Sequence, residues 1–479
     1  MRRALSIAKW FPALVILALV VAVSWLWIAP PELIRVGSNY AAKIVCSNVY
    51  LANRDPEEVL EDDVQAPGNR LLRLMRARVD AAHAVVRTGL FGSMGDGEAV
   101  FLGPTGCTVV PDGDLAAVLR LLAVMPSPPA DTPAKDMEMW PDGIRMEASK
   151  NPAITEVLDD PALTGPGMRA IVIVRDGRII GERFGPGVQQ YDQPLLGWSM
   201  TKTVTAAIIG TLVQAGKLSV DQSNLLPQWS GDSRSRITVA HLLGMESGLA
   251  FNEYYGGVSD VTRMLFLEPD MAAFAANQPL LYRPGERFTY SSGTWVMLSR
   301  IWQNAFDDPE EALAWPRQAL FGPLGMDTAV FETDARGTFV GSSYLYASTR
   351  DWARFGQLLL QDGVWKGQRI LPEGWVEWMR TPTEASGGEY GRGIWLHGPR
   401  VGLYPMPDPD AGFDLPEDAY WMIGHDGQTI TVIPSRRLVV VRMGLTPRTL
   451  AYRPQALVEA VVKALDAEEE GGWSGVRDR

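Results

Sequence analysis

The chain has 479 residues, of which 46% are apolar, and its formal net charge at pH 7 is −12. The apolar content is sufficient for a sizeable core and excludes a chain that is disordered throughout. Because the charge balance is acidic and no long basic cluster is present, a nucleic-acid backbone is excluded as a partner.

The first 31 residues are predicted to lie outside the folded domains. Residues 10–29 carry no charge, and as a helix they would span about 30 Å, the thickness of a bilayer core. Three basic residues precede them, which predicts an anchor in the inner membrane with the rest of the chain on the periplasmic side. A cleaved signal peptide is the alternative, because Ala22-Val23-Ser24 is a small-x-small site. Both alternatives export the protein.

Residues 32–125 are predicted to form a small module with short strands at residues 99–102 and 108–110. Both cysteines of the chain, Cys46 and Cys107, lie in this module. An oxidising compartment would permit a disulfide between them, closing a loop of about 60 residues, with two buried free thiols as the alternative. Their spacing is not that of zinc ligands, so no metal site is predicted.

Residues 126–145 have the proline-rich composition of a linker, and residues 146–466 are predicted to form the main domain. Its first elements are strands at residues 169–174 and 178–183. The dipeptide Asp176-Gly177 between them indicates a hairpin, because it readily adopts positive φ. The main domain is therefore expected to begin with two antiparallel strands.

Strands return late in the main domain, at residues 429–433 and 438–443, and helical periodicity dominates between, as at residues 351–361. Distant strands must share a sheet to bury their apolar faces. An α+β fold is predicted, with one antiparallel sheet built from both ends of the domain and a helical subdomain. Residues 467–479 form an acidic tail that is predicted to be disordered.

Ser199 and Lys202 begin an apolar helical run that continues through residues 203–213. Residues three apart on a helix share a face, with Cβ atoms roughly 5–6 Å apart, so the ammonium can lie beside the hydroxyl. Free N–H groups at the helix start favour developing negative charge, as an acyl-transfer nucleophile requires. A second Ser-x-x-Lys, at residues 6–9, shows that the pattern alone is not specific. An N-cap serine beside a solvated lysine is the alternative.

Two further motifs follow in order, Tyr290-Ser291-Ser292 and His425-Asp426-Gly427. With Ser199-x-x-Lys202, they resemble the serine β-lactamase and penicillin-binding-protein superfamily. The class C-like branch, which contains esterases and 6-aminohexanoate-oligomer hydrolases, is also similar at residues 237–249, 322–326 and 347–351. The resemblance covers roughly residues 165–445 and implies a β-lactamase/DD-peptidase-like fold.

The resemblance also implies a role for each matching residue. Ser199 would be the nucleophile, Lys202 its ammonium neighbour and Tyr290 the general base, and backbone N–H groups of Ser199 and Gln428 would form the oxyanion hole. Basicity at pH 7 requires the tyrosine pKa to fall by about 3 from its usual value of about 10. A lysine about 4 Å away, at an effective dielectric near 20, supplies an interaction of about this size. No metal and no organic cofactor are implied.

Substrate contacts are predicted at the remaining motif positions, which are Trp198, Ser292, His425 and Gly427. Penicillin-processing relatives carry asparagine where Ser292 stands and lysine where His425 stands. A hydroxyl and a mostly neutral imidazole replace an amide and a permanent cation, so efficient β-lactam hydrolysis is not expected.

The sequence therefore predicts an exported serine hydrolase that cleaves small esters or linear amides through an acyl-enzyme. A cell-wall D-amino-acid peptidase is the alternative enzyme, and it would suit the periplasmic side. An inactive member of the superfamily that binds peptidoglycan fragments or a partner protein is the alternative outside enzymology.

Overall fold

A computed structural model describes residues 2–66, 69–127, 137–400 and 408–474. The α-helices in these ranges are α1 (Arg2–Ile28), α2 (Glu32–Ala52), α3 (Pro56–Val59), α4 (Leu115–Leu119), α5 (Pro152–Asp159), α6 (Pro161–Thr164), α7 (Thr201–Gln214), α8 (Val239–Leu243), α9 (Asp260–Leu267), α10 (Met271–Ala276), α11 (Ser292–Gln303), α12 (Pro309–Pro316), α13 (Gly322–Leu324), α14 (Thr349–Leu360), α15 (Trp375–Arg380) and α16 (Gln455–Ser474). The strands are β1 (Met75–Asp80), β2 (Val85–Leu90), β3 (Met94–Phe101), β4 (Cys107–Val109), β5 (Met168–Arg175), β6 (Arg178–Phe184), β7 (Leu195–Leu196), β8 (Val330–Phe331), β9 (Leu345–Ala347), β10 (Val364–Trp365), β11 (Gln368–Arg369), β12 (Tyr420–Ile423), β13 (Thr429–Ile433) and β14 (Leu438–Gly444).

The central sheet has the strand order β12-β13-β14-β5-β6, and all neighbouring strands are antiparallel. Asp176 and Gly177, with φ of 51° and 71°, make the hairpin turn between β5 and β6. The pairing of β14 with β5 joins strands from opposite ends of the domain, with Val440 opposite Ile173. The predicted α+β fold and its antiparallel sheet are confirmed.

Both faces of the central sheet are buried, because its β-branched strand residues alternate between two apolar clusters. Val172 and Val174 of β5 pack in the cluster that contains α7 and α14. Ile171 and Ile173 pack in a second cluster with α5 and α16. Strands covered on both faces are expected to be apolar throughout, and Ala170 to Val174 are all fully buried.

A second antiparallel sheet, with order β1-β2-β3-β4, lies in the predicted N-terminal module, and α2 packs against it. Gly97 of β3 lies so close to Ser38 that a Cβ on it would be 2.4 Å from the Ser38 carbonyl carbon. Cys46 of α2 and Cys107 of β4 form a disulfide with an S–S distance of 1.99 Å. The disulfide joins the helix to the edge strand of its sheet.

The helix α2 also contacts the main domain. The Asn39 side chain donates to the Phe266 carbonyl oxygen at 2.7 Å, and Lys43 is ion-paired with Glu332. Residues of α2 share one continuous apolar cluster with α7, α9 and α11. The N-terminal sheet, the helical region and one face of the central sheet are thus packed around a common core.

Two expectations for the chain ends differ from the structure. Within the described part of the chain, none of the helices combines the length and the apolar character needed to cross a bilayer. The membrane anchor predicted at residues 10–29 is therefore not supported. The helix α16 continues to Ser474, beyond residue 467, where a disordered tail was expected to begin, because the apolar face of its first turns packs on the central sheet. Nine of the 20 residues of the predicted linker, residues 128–136, lie outside the described residues.

Candidate functional site

Ser199 follows a strained backbone turn between β7 and α7. Trp198, which precedes it, has φ of 48°, in the left-handed region that non-glycine residues rarely adopt. Gly197 is required in this turn, because a Cβ on it would lie 2.2 Å from the Trp352 ring. Its N–H donates to the Leu345 carbonyl oxygen at 2.9 Å. The turn fixes Ser199 one residue before Met200, the N-cap of α7, with its side chain partly exposed.

Lys202, in the first turn of α7, is 2% exposed, and its ammonium nitrogen has three oxygen neighbours. Nζ lies 2.8 Å from Ser199 Oγ, 3.1 Å from Ser292 Oγ and 3.0 Å from the Ser342 carbonyl oxygen. Burial lowers the pKa of Lys202 to about 8, although the Glu253 carboxylate acts in the opposite direction. A substantial fraction of Lys202 is therefore a neutral amine at slightly alkaline pH.

Tyr290 lies two residues before the first residue of α11 and close to both Ser199 and Lys202. Its hydroxyl shares a hydrogen bond with the Ser199 side chain, and its ring centroid is 5.0 Å from Lys202 Nζ. Burial and the nearby Glu253 carboxylate raise the pKa of Tyr290. The expectation that Lys202 lowers the pKa of this phenol is wrong, because burial penalises the phenolate and Glu253 repels it. Tyr290 is a neutral phenol at physiological pH.

Ser292 is the first residue of α11, whose N-terminus is capped by Ser291. Its side chain is fully buried, and its neighbours are Lys202 and Glu253. Ser292 was predicted to contact substrate. Its side chain instead belongs to the hydrogen-bond network around Lys202.

Glu253 is a residue of the site that the sequence analysis missed. It lies in the segment between α8 and α9, and its carboxylate accepts hydrogen bonds from the Ser292 backbone N–H at 2.8 Å and hydroxyl at 2.5 Å. The Tyr255 hydroxyl donates to the same carboxylate at 3.3 Å. The three motifs do not include this segment, and a lone glutamate among other acidic residues gave no signal.

The third motif forms the turn between β12 and β13. Gly427 has φ of 81°, and a Cβ on it would lie 2.7 Å from Arg442 Nη1. Arg442, fully buried in β14, donates to the Gly427 carbonyl oxygen at 2.8 Å and so fixes the turn. The Gln428 side chain accepts from the Gly444 N–H at 2.8 Å, which anchors the start of β13.

Two aromatic residues enclose His425 in this turn. Its imidazole is stacked on the Tyr255 ring, with centroids 5.0 Å apart, and meets the Trp198 ring edge-on at 5.5 Å. Trp198 is only 5% exposed and lies behind His425. Trp198 was also predicted to contact substrate. Its ring instead packs against the His425 imidazole and does not face the open site.

A cavity of about 350 Å³ opens beside Ser199. Besides Ser199, its lining includes the predicted site residues Tyr290, His425, Gly427 and Gln428, together with Glu253, Trp395 and Arg448. The structure thus brings the three motifs to one open cavity, with Lys202 and Ser292 buried behind the nucleophile.

One group of side chains at the edge of this cavity has donor types that suit a metal ion. The imidazole of His397 and the carboxylates of Asp408 and Asp410 lie within 4.8 Å of one another. Asp410 already accepts hydrogen bonds from the Gly398 N–H at 3.0 Å and from the Gln455 side chain at 3.2 Å. These bonds explain its position without an ion, and we assign no metal to the group.

Comparisons with known proteins agree with this geometry. The family model described as Beta-lactamase matches residues 161–458, more than half of the chain. The 6-aminohexanoate-dimer hydrolase of Paenarthrobacter ureafaciens is 26% identical over 223 residues, which cover 43% of this chain and 56% of that protein. Protein Rv1367c of Mycobacterium tuberculosis is 28% identical over 239 residues, 38% of this chain and 58% of that protein. The chain thus matches little more than half the length of these relatives.

A penicillin-binding-protein homologue from Caulobacter crescentus has a similar structure, with a TM-score of 0.50 at 15% identity. The superposition covers 67% of this chain and 99% of the homologue. At this identity the likeness concerns the fold alone.

Proposed function

Because the chain belongs to the β-lactamase family, whose members include hydrolases, we propose that it cleaves small ester or linear amide bonds through an acyl-enzyme on Ser199. The observation that carries the proposal is the 2.8 Å contact between Lys202 Nζ and Ser199 Oγ at the wall of an open cavity. A buried lysine with a lowered pKa beside a hydroxyl is the arrangement that activates a serine nucleophile.

In the proposed acylation step, neutral Lys202 takes the Ser199 proton as Ser199 Oγ attacks the carbonyl carbon. The site supplies this base because burial lowers the pKa of Lys202 to about 8. Tyr290, a neutral phenol hydrogen-bonded to Ser199, donates a proton to the leaving group and recovers one from Lys202. Water then releases the acid and restores Ser199. In this proposal the general base is Lys202 and not Tyr290.

The negative oxygen of the tetrahedral intermediate is assigned to the backbone N–H groups of Ser199 and Gln428. Ser199 is fixed by the strained turn at Trp198, and Gln428 by its side-chain bond to Gly444. Preorganised donors of this kind need no rearrangement as charge develops, and loss of one typically slows a reaction 10²–10³-fold.

The cavity combines an aromatic wall with charged side chains, among them Glu253 and Arg448. His425 replaces the lysine that penicillin-processing relatives offer to a carboxylate, and Trp395 and Tyr290 stack with ring centroids 5.4 Å apart. An aromatic wall of this kind suits an acyl chain. The relative from Paenarthrobacter ureafaciens is named for a linear amide dimer, which favours linear amides over β-lactams for this chain.

We also propose that the protein is exported to an oxidising compartment. The Cys46–Cys107 disulfide supports this location, because disulfides persist outside the reducing cytosol. Fractionation of cells, combined with the accurate mass of the mature protein, tests the location and distinguishes an uncleaved N-terminus from a processed one. A fully reduced, cytosolic protein contradicts the proposal.

The test of function is hydrolysis by purified protein of p-nitrophenyl esters, 6-aminohexanoate dimer and D-Ala-D-Ala peptides, with Ser199→Ala as control. We expect turnover of the ester and the linear amide, and labelling of Ser199 by a fluorophosphonate probe. Preferential cleavage of the D-Ala-D-Ala peptide would identify a cell-wall peptidase. A folded protein that neither turns over a substrate nor reacts with the probe would be the inactive binding protein.

A further inference from the structure

We infer that Glu253 is a positioning residue that holds the Ser292 hydroxyl so that the neutral Lys202 amine directs its lone pair at Ser199. The inference rests on the proposed function of the same site and deepens it. It concerns a residue outside the three motifs, a partly buried carboxylate at the wall of the cavity that is bonded to the Ser292 neighbour of Lys202.

Both oxygens of the Glu253 carboxylate are directed at the start of α11. One accepts from the Ser292 N–H at 2.8 Å, and the other accepts from the Ser292 hydroxyl at 2.5 Å. A carboxylate can only accept hydrogen bonds, so the single proton of the Ser292 hydroxyl must point to Glu253. Ser292 Oγ is left with lone pairs alone toward Lys202.

Counting donors then fixes the orientation of Lys202. A neutral amine has two N–H groups and one lone pair, and Nζ has three oxygen neighbours. The Ser342 carbonyl oxygen is an acceptor and takes one N–H. Ser292 Oγ, whose proton is held by Glu253, takes the other. The lone pair therefore points to Ser199 Oγ, whose proton it can accept.

Without Glu253 this orientation is lost. The Ser292 hydroxyl could then donate to Nζ and occupy the lone pair that should receive the Ser199 proton. When Lys202 is protonated, all three of its hydrogens are donated, including one to Ser199 Oγ, and it cannot act as a base. The arrangement therefore works only above the pKa of Lys202.

Titratable groups from two segments face Lys202. Glu253 raises the pKa of this lysine, against the larger effect of burial. The neutral phenol of Tyr290 faces it from the start of α11, and the neutral phenol of Tyr255 lies next to Glu253. Removing the negative charge of Glu253 should therefore lower the pKa of Lys202, whereas loss of the hydrogen bond to Ser292 should lower the rate.

The experiment is Glu253→Gln, assayed for kcat/KM across pH 6 to 10 on a p-nitrophenyl ester. We expect a loss of about 10- to 100-fold, as for other misplaced catalytic groups, and a shift of the acid-side midpoint to lower pH. Glu253→Asp keeps the charge but shortens its reach, so it should lose rate and keep the wild-type midpoint. Glu246→Gln, in the same segment and not part of the cavity lining, is the matched control. A Glu253→Gln variant with the wild-type rate and midpoint overturns the inference.

A second measurement separates this inference from the proposed function. The ¹³Cε signal of Lys202, identified by its loss in Lys202→Arg, reports the titration of the lysine without any substrate. If the wild-type protein reacts with no substrate or probe, the proposed function fails, yet the titration still tests Glu253. Identical Lys202 titrations in wild type and Glu253→Gln overturn the positioning role, whatever the activity. Unfolding curves show whether each variant is folded. If Glu253→Gln is not folded, the rate of Glu253→Asp tests the positioning role, and a wild-type rate in that variant overturns it.

Discussion

Lys43 of α2 and Glu332, between β8 and β9, form an ion pair whose side chains are 1% and 0% exposed. Lys43 also donates to Ser47 Oγ at 2.7 Å and lies over the Tyr344 ring, 4.3 Å from its centroid. Glu332 accepts from the Cys107 N–H at 2.7 Å. The pair thus connects the disulfide-bonded N-terminal module to the loop that follows β8. Tyr344, in that loop, packs against Trp198. Two residues before Tyr344, the Ser342 carbonyl oxygen accepts a hydrogen bond from Lys202.

Removing one partner of this pair should destabilise the protein strongly. Lys43→Met leaves the Glu332 carboxylate buried without its counter-ion, and such losses typically measure about 3–5 kcal/mol. Denaturant unfolding measures the change. The double variant Lys43→Met/Glu332→Gln should recover part of the loss, because no unpaired charge remains. Disruption of the surface pair Lys463–Glu459 is the matched control and should leave the unfolding midpoint unchanged. A single variant as stable as the wild type would contradict a structural role for the pair.

The disulfide should contribute stability through the unfolded chain. Cys46 and Cys107 are separated by 61 positions, and closing a loop of this length lowers the free energy of folding by about 4 kcal/mol in the chain-entropy model. Cys46→Ala/Cys107→Ala should therefore unfold at a lower denaturant concentration than the oxidised wild type. Reducing the wild-type protein after unfolding should produce the same shift. Equal midpoints for oxidised and reduced protein would show that the bond does not restrict the unfolded chain.

Local sequence patterns were sufficient for the strands and the nucleophile. The β-branched runs of β5, β13 and β14 and the Asp176-Gly177 turn predict the sheet, because alternation and turn chemistry are local properties. Ser199 and Lys202 are close in space because they are three residues apart on a helix. The proximity of the three motifs could be predicted only from family resemblance, since separation along the chain does not determine distance in space.

The electrostatics of the site could not be predicted from the motifs. The pKa of Tyr290 depends on its burial and on Glu253, which lies 37 positions earlier in an unremarkable loop. Similarly, Ser292 was predicted to face substrate, but its side chain is fully buried and bonded to Lys202 and Glu253. Both errors arise because a motif identifies residue types, whereas a pKa depends on every charge and solvent-excluding group that the tertiary fold brings near.

The proposed base predicts a pH profile for acylation. Because the pKa of Lys202 is lowered to about 8, its neutral form accumulates as the pH rises through this value, and kcat/KM should rise with it. Lys202→Arg keeps the positive charge but cannot lose a proton, so it should lose activity about 10²–10⁴-fold at every pH. The rate of fluorophosphonate labelling at Ser199 measures the same profile without turnover. Lys217→Arg, at an exposed lysine in the turn after the C-terminal end of α7, is the control. A wild-type rate that is constant from pH 6 to 9 would exclude Lys202 as the base.

The role of Tyr290 can be separated from that of Lys202 by the choice of leaving group. Tyr290→Phe removes the hydroxyl and keeps the ring that stacks on Trp395. If Tyr290 donates a proton to the leaving group, the variant should lose far more activity on an amide, whose amine must be protonated to depart, than on a p-nitrophenyl ester, whose phenolate departs unprotonated. Single-turnover acylation rates on the two substrates measure the difference.

Tyr390→Phe, at a buried phenol that packs on Tyr290, is the matched control and should affect both substrates equally. Equal, large losses of Tyr290→Phe on both substrates would return the role of base to Tyr290, because abstraction of the Ser199 proton precedes departure of either leaving group.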